Sequence, residues 1–294
     1  MILVTGASGQ LGHELVNRLT ARGDAYRAVS RPAFDFEKPE TIKTCFEEVK
    51  PDLVINAAAY TAVDQAQTEP EKADACNHTG PLILARLCEA ANIPFIHIST
   101  DYVFDGNKAA PYVESDLTNP TGVYGATKRD GENAILATGA KAIILRTSWV
   151  YSNHGKNFVK TMLTAGQKMP ILRVVADQRG APTAAGDLAD AVLAITDQIQ
   201  KTRWKPDYRG IFHATGAGDT TWYDFAYAIF EEAAKHGYNP PQVQPIATAE
   251  WPTPTRRPPD SRLDCTKLKQ VFGISLPEWR NGVCAFMKSE DKVP

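Results

Sequence analysis

The chain reads as an α/β protein, a doubly wound parallel sheet with a smaller C-terminal substrate-binding lobe. Three features carry that expectation. Strand-length apolar runs alternate with helical patterns, a glycine-rich turn joins the first run to the first helix, and the alternation loosens after about residue 147.

Taken in order, Ile2 to Thr5, Tyr26 to Ser30, Leu53 to Asn56, Phe95 to Ser99 and Ala142 to Arg146 read as strands buried on both faces. Leu11, Leu15 and Leu19 mark one face of the first helix, which Gly23 ends. Pro39 and Pro70 suit first helical turns, Thr68 suits a cap, and residues 71–91 read as one helix. Strands separated by helices imply right-handed βαβ units. Later elements are a helix over 157–165, a strand over 171–175, a helix over 186–200, a strand over 211–215 and a helix over 222–236. The proline-rich stretch 240–259 reads as extended loop. This places the nucleotide-binding half at 1–147 with a contribution from about 184–204, and the smaller lobe at 148–183 and 205–294.

Composition narrows the function classes. A chain of 294 residues, 43% hydrophobic, buries roughly three quarters of its unfolded surface and needs no metal or disulfide to be stable. With 32 basic and 34 acidic residues and no Lys/Arg block, it lacks the footprint of a nucleic-acid or anionic-membrane binder. The expected partner is a small molecule. The opening Met1-Ile2-Leu3-Val4-Thr5-Gly6 does not read as a secretory signal, and no apolar run approaches the roughly 18 residues of a membrane helix. The five cysteines are scattered, with no Cys-x-x-Cys. Free thiols and a cytoplasmic location are expected.

Thr5-Gly6-Ala7-Ser8-Gly9-Gln10-Leu11-Gly12 follows the first strand and opens the first helix. In such a Rossmann turn the first glycine (Gly6) permits the tight turn, the second (Gly9) lets the backbone approach a pyrophosphate, and the third (Gly12) allows close helix packing. The acidic residue expected after the second strand to hold a ribose 2′-hydroxyl is missing, and Ser30-Arg31 stands there. Arg31 suits a 2′-phosphate and favours NADPH, whereas Asp35, four residues on, suits NADH.

Tyr124-Gly125-Ala126-Thr127-Lys128 places a phenol and an ammonium on one helix face. The spacing arises readily by chance, so it carries weight only beside the glycine turn and Ser99-Thr100 at the end of the fourth strand. Ligands of open parallel sheets bind at that carboxyl edge. A phenol whose anion a lysine stabilises, with a neighbouring hydroxyl, suits hydride transfer between a nicotinamide and a carbonyl.

These blocks resemble the extended short-chain dehydrogenase/reductases. A more specific similarity, to the dTDP-4-dehydrorhamnose reductase family, lies in residues 56–64 (Asn-Ala-Ala-Ala-Tyr-Thr-Ala-Val-Asp), Phe104-Asp105-Gly106, residues 146–151 (Arg-Thr-Ser-Trp-Val-Tyr), Asp177-Gln178-x-Gly180-x-Pro182-Thr183 and Arg257-Pro258-x-x-Ser261-x-Leu263-Asp264. They run nearly end to end, through both lobes. The resemblance implies reduction of the C4 carbonyl of a dTDP-bound 4-keto-6-deoxy-L-sugar by NAD(P)H. Tyr124 would protonate the alkoxide, Lys128 would lower the tyrosine's pKa and hold the nicotinamide ribose, and Thr100 would hydrogen-bond the carbonyl. By the same resemblance Gly9, Gln10 and Leu11 line the pyrophosphate, Asp35 and Phe36 the adenosine end, and Ala59, Tyr60 and Thr61 the middle of the cofactor. Asp101 and Trp149 touch the sugar nucleotide, although a tryptophan after a buried strand is also a common core aromatic. The pair Arg256-Arg257 reads as a diphosphate clamp or as a solvated loop, and Arg257 is taken as a substrate contact. Some relatives form Mg2+-linked dimers. A homodimer therefore stays open, but no carboxylate cluster has metal-site spacing and no metal ligand is assigned.

Rival functions are an epimerase or dehydratase on the same fold, and a non-catalytic regulatory subunit. Dehydratases carry Thr-Asp-Glu where this chain has Thr100-Asp101-Tyr102, epimerases usually carry an acid where this chain has Ser30-Arg31, and a regulatory subunit would be expected to lose Tyr124 or Lys128.

Overall fold

A computed structural model describes residues 1–289 of the chain. The first half alternates β1 (Ile2–Thr5), α1 (Gln10–Arg22), β2 (Tyr26–Val29), α2 (Pro39–Val49), β3 (Leu53–Asn56), α3 (Pro70–Asp74), α4 (Gly80–Ala90), β4 (Pro94–Thr100), α5 (Val123–Ala137) and β5 (Lys141–Thr147). There follow β6 (Val150–Tyr151), α6 (Phe158–Gly166), β7 (Ile171–Val175), β8 (Arg179–Gly180), β9 (Thr183–Ala184), α7 (Ala185–Thr202), β10 (Gly210–His213), β11 (Thr220–Thr221), α8 (Trp222–Ala234), β12 (Gln242–Ile246), α9 (Thr266–Phe272) and α10 (Trp279–Lys288).

The central sheet has six parallel strands in the order β10-β5-β4-β3-β1-β2. The chain moves outward from β1 in both directions, so the crevice between β1 and β3 is the switch point where a doubly wound sheet binds ligands. The apolar runs of β1 and β3 are buried throughout, as strands covered on both faces require. Gly23 takes the left-handed conformation, φ 70°, and ends α1 as its position suggested.

Two packed cores lie on the sheet, one joining Val4, Leu15, Ile55 and Leu188, the other Leu3, Phe36, Leu84 and Phe95. A third belongs to the smaller lobe and gathers Tyr151, Leu163, Val174, Phe225, Ile229, Trp279 and Phe286.

Several elements depart from the sequence reading. Residues 71–91 are helical as read, but not uniformly α: the helix takes a π-turn over Ala75–Thr79 between α3 and α4. Thr68 does not cap α3, because its hydroxyl turns back to the Gln65 carbonyl. Part of the proline-rich stretch is strand, since β12 pairs in parallel with β7, with Pro245 tolerated in a two-stranded sheet. The segment after 205 does not all belong to the smaller lobe. β10 is the sixth strand of the central sheet, and Phe212, Leu268 and Phe272 lie in the same core as β1 and α1. Among the described residues no helix is long and apolar enough to cross a membrane, and all five cysteines are free.

Candidate active site

The glycine turn has the geometry its spacing implies. Gly6 has φ 71°, and a Cβ there would sit 2.5 Å from the Ala58 nitrogen, so β3's exit loop packs directly on the turn. A Cβ on Gly12 would lie 2.1 Å from the Gly6 carbonyl oxygen. Gly9 is the N-cap of α1 and no side chain caps that helix, which leaves its first N–H groups to an anion. These residues fit the diphosphate of a dinucleotide. Leu11 is buried beneath them, and Gln10 reaches across to the smaller lobe, where its amide oxygen accepts from Asn157 at 3.0 Å.

Farther along the crevice, Asp35 accepts from the Glu37 backbone through a side-chain oxygen, and Phe36 lies under Gly80, where any Cβ would strike its ring. Arg31 is exposed and forms no ion pair among the described residues, whereas Ser30 and Asp35 are half-buried. Ala59 and Tyr60 are half-buried and Thr61 exposed on the loop after β3. Asn77, in the π-turn, pins that loop: its side chain accepts from the Tyr60 N–H at 2.9 Å and donates to the Tyr60 carbonyl and to Thr127 of α5.

Thr100 closes β4, and α5 begins close by, with its second residue Tyr124 buried against the Tyr102 ring, centroids 5.5 Å apart. Burial pushes the Tyr124 hydroxyl pKa up, and hydrogen bonding with Thr100 acts the other way. Lys128, 1% exposed, lies one turn further along. Its ammonium donates to the Ile98 carbonyl at 2.6 Å, with His97 Nε2 at 3.3 Å, and it is not among the groups that shift Tyr124. Burial lowers the Lys128 pKa to about 8. Ser99 stands apart from this cluster, because its hydroxyl donates to Glu132 beneath the sheet edge.

The remaining predicted contacts ring the same edge. Asp101 is fully buried, accepts from Thr100 at 3.1 Å through one oxygen, and leaves its second oxygen without a partner. Burial raises its pKa to about 6. Trp149 takes φ 47° and stacks on Trp222, centroids 3.5 Å apart, above Gly180, which has no room for a Cβ. Arg257 is not simply solvated: its Nη2 binds Asp64 at 2.7 Å, the guanidinium lies over the Tyr102 ring, and Nη1 is buried and unpaired. Arg256 is exposed beside it. Thr147, register partner of Thr100 across β4 and β5, also holds an unpaired buried hydroxyl. Sequence reasoning missed Asn77 and Thr147 as parts of this region, and left Trp222 out of the site, open between stacking on the thymine and packing its own helix. Trp222 alone had a signal, its apolar indole at the start of a helix. Among the described residues no three His, Cys, Asp or Glu side chains gather as a metal site.

The family model described as RmlD substrate binding domain matches residues 1–291. A curated dTDP-4-dehydrorhamnose reductase of Sinorhizobium fredii is 43% identical over 95% of this chain and 93% of its own length. The chain belongs to the dTDP-4-dehydrorhamnose reductase family. Solved structures agree. The dTDP-4-dehydrorhamnose reductase of Clostridium acetobutylicum matches with TM-score 0.90 and 38% identity over 97% of this chain and 98% of its own. That of Bacillus anthracis, in complex with NADP, matches with TM-score 0.88 and 32% identity over 97% of both chains. In this member of the dTDP-4-dehydrorhamnose reductase family, buried Thr100 and Tyr124 lie near one another at the carboxyl edge of β4, on the edge where the glycine turn ends β1. Two hydroxyls and a buried amine there can hold an oxygen and move a proton to it.

Proposed function

We propose that this chain catalyses the NAD(P)H-dependent reduction of the C4 carbonyl of dTDP-4-dehydro-L-rhamnose, giving dTDP-L-rhamnose as the last step of dTDP-rhamnose formation. The observation that carries the reading is the buried Thr100–Tyr124 hydroxyl pair with Lys128 behind it, in a chain whose family extends through both lobes.

The nicotinamide, when bound, supplies the hydride. The chain's own residues do the rest. Thr100 holds the carbonyl oxygen, and Tyr124 gives its proton to that oxygen as negative charge develops. A tyrosine whose pKa is raised by burial is fully protonated at neutral pH, which is the state a reduction needs in its acid. Lys128 holds the nicotinamide ribose. Gly6, Gly9, Gln10, Leu11 and Gly12 bind the diphosphate, Ala59, Tyr60 and Thr61 the middle of the cofactor, and Ser30, Arg31, Asp35 and Phe36 its adenosine end. Unpaired Arg31 supports NADPH as the preferred form, with NADH the second choice. Asp101, Trp149 and Arg257 bind the nucleotide sugar, and their unpaired Oδ2 and Nη1 atoms are the polar groups free to do so. The nucleotide-binding half and the smaller lobe close on the substrate between them. Free thiols fit a cytosolic site of action.

The test follows NADPH or NADH oxidation with the dTDP-4-keto-6-deoxy-L-sugar and identifies the product by NMR. Oxidation yielding dTDP-L-rhamnose, faster with NADPH, is expected. Cofactor binding without turnover would overturn the reductase reading and favour a regulatory role.

A further inference from the structure

Lys128 ends a buried polar chain that the reduction itself does not require. Asn56 closes β3, His97 is its register partner on β4, and both are fully buried. The orientation of the Asn56 amide is dictated by its neighbours. Its Oδ1 accepts from the Ala58 backbone N–H at 3.1 Å and from the Thr5 hydroxyl at 2.5 Å, and a backbone N–H can only donate. Nδ2 is therefore the atom 2.8 Å from His97 Nδ1. Two N–H groups cannot face each other at that distance, so Nδ1 carries a lone pair. Burial holds His97 neutral, its pKa far below the ordinary range, and any charge on Lys128 acts in the same direction. A neutral imidazole with a bare Nδ1 has its proton on Nε2, the atom 3.3 Å from Lys128 Nζ. That N–H needs an acceptor. An ammonium has none, whereas an amine has one lone pair and still keeps an N–H for the Ile98 carbonyl.

We propose that Asn56 and His97 are positioning residues for Lys128: Asn56 fixes His97 as the Nε2–H tautomer, and that N–H hydrogen-bonds the uncharged amine of Lys128 in preference to its ammonium. The titratable groups that face Lys128 are neutral His97 from β4 and charged Glu132 one turn along α5, the latter paired with Arg146 from β5. Burial opposes the ammonium and Glu132 favours it; the His97 N–H, in the Nε2–H tautomer, adds to the opposition. Lys128 is thereby poised to gain or shed a proton near neutrality.

The inference deepens the reductase reading, since Lys128 is the residue assigned there to the ribose. Its test uses neither cofactor nor substrate, so the two fail separately. Long-range 1H–15N spectra of the 15N-labelled, cofactor-free protein report the His97 tautomer, and 13C-labelled lysine gives the Lys128 midpoint, with His97→Gln and Lys128→Met assigning the signals. The expected result is the Nε2–H tautomer across neutral pH and a Lys128 midpoint near 8. Asn56→Asp keeps the oxygen that serves Ala58 and turns the other atom into an acceptor. His97 should then move its proton to Nδ1, and the Lys128 midpoint should rise by at least about one pH unit, tenfold in proton affinity. The added carboxylate can raise the midpoint by charge alone, so the tautomer change is the deciding readout. A wild-type protein with Nδ1–H overturns the proposal whatever the variant does, and so does a folded Asn56→Asp protein that keeps Nε2–H. Should Asn56→Asp not fold, His97→Leu must raise the midpoint while His97→Gln, which keeps a donor, holds it low; equal midpoints in the two overturn the proposal.

Discussion

At the scale of single residues, environment assigns the acid–base roles. Tyr124 is buried beside Thr100, so its phenol stays protonated and is ready to donate. Tyr124→Phe should lower turnover by about 100-fold or more while leaving NADPH affinity within about twofold, because only the proton donor is removed. Steady-state kinetics with cofactor titration check both halves. Asp101 gives a pH signature. Burial raises its folded pKa to about 6, above the unfolded value, so the folded state binds the extra proton and the ionised carboxylate destabilises the fold above that pH. Stability should increase as pH falls from 7.5 to 5, by about 1–1.5 kcal/mol from this group, and Asp101→Asn should flatten that slope in urea unfolding. The glycine turn, Tyr124 and Lys128 were legible because each sits in a spacing with a physical meaning, a turn or a helix face. Asn77 and His97 were not, since a lone polar residue, in a mixed helical segment or in the apolar run of β4, has neither period nor motif, and only the fold shows what it meets.

At the scale of elements, α5 is the part that must be placed, because it carries both Tyr124 and Lys128. Glu132 on its inner face binds Arg146 of β5 through two hydrogen bonds and accepts from Ser99 of β4, all fully buried. Two glycines let the helix approach its neighbours: a Cβ on Gly125 would sit 2.1 Å from the Tyr102 carbonyl, and one on Gly131 would sit 2.0 Å from that of Asn77. Arg146→Met leaves the Glu132 carboxylate buried without its partner and should cost about 3–5 kcal/mol in denaturant unfolding. Gly125→Ala should cost less stability, about 1–3 kcal/mol, but should also lower turnover, because relieving the clash with the Tyr102 carbonyl shifts α5, and Tyr124 with it, relative to the end of β4. Unchanged kinetics in a folded Gly125→Ala protein would separate helix position from catalysis. The strand and helix order of the first half was readable from period alone. The π-turn was hidden because it leaves the apolar face of α3 and α4 continuous, and β10 was read into the wrong lobe because pattern gives a strand's existence but not its sheet.

At the scale of the whole molecule, two polar links hold the smaller lobe and the C-terminal strap against the sheet edge. Gln10 of α1 reaches Asn157 and Val150, with His154 stacked on His13. On the other side residues 253–264 cross back over the first half: Thr255 donates to Asp64 and to the Val63 carbonyl, and Arg257 pairs with Asp64 over the Tyr102 ring. The exposed or half-buried pair is worth little by itself to stability, about 0–1 kcal/mol, so stability alone does not account for the placement of the guanidinium. The buried, unpaired Nη1 points to a second task. If Arg257 only pins the strap, Asp64→Ala and Arg257→Ala should raise KM for the nucleotide sugar equally, since each breaks the same pair. If it also grips the sugar nucleotide, Arg257→Ala should raise that KM at least about tenfold and Asp64→Ala clearly less, because freed Arg257 still carries its charge. We expect the second pattern, with KM for NADPH unchanged in both variants, because the glycine turn is built from β1, α1 and the loop after β3 without the strap. Equal KM values in the two variants would reduce Arg257 to a tie between segments and leave binding of the diphosphate to other donors.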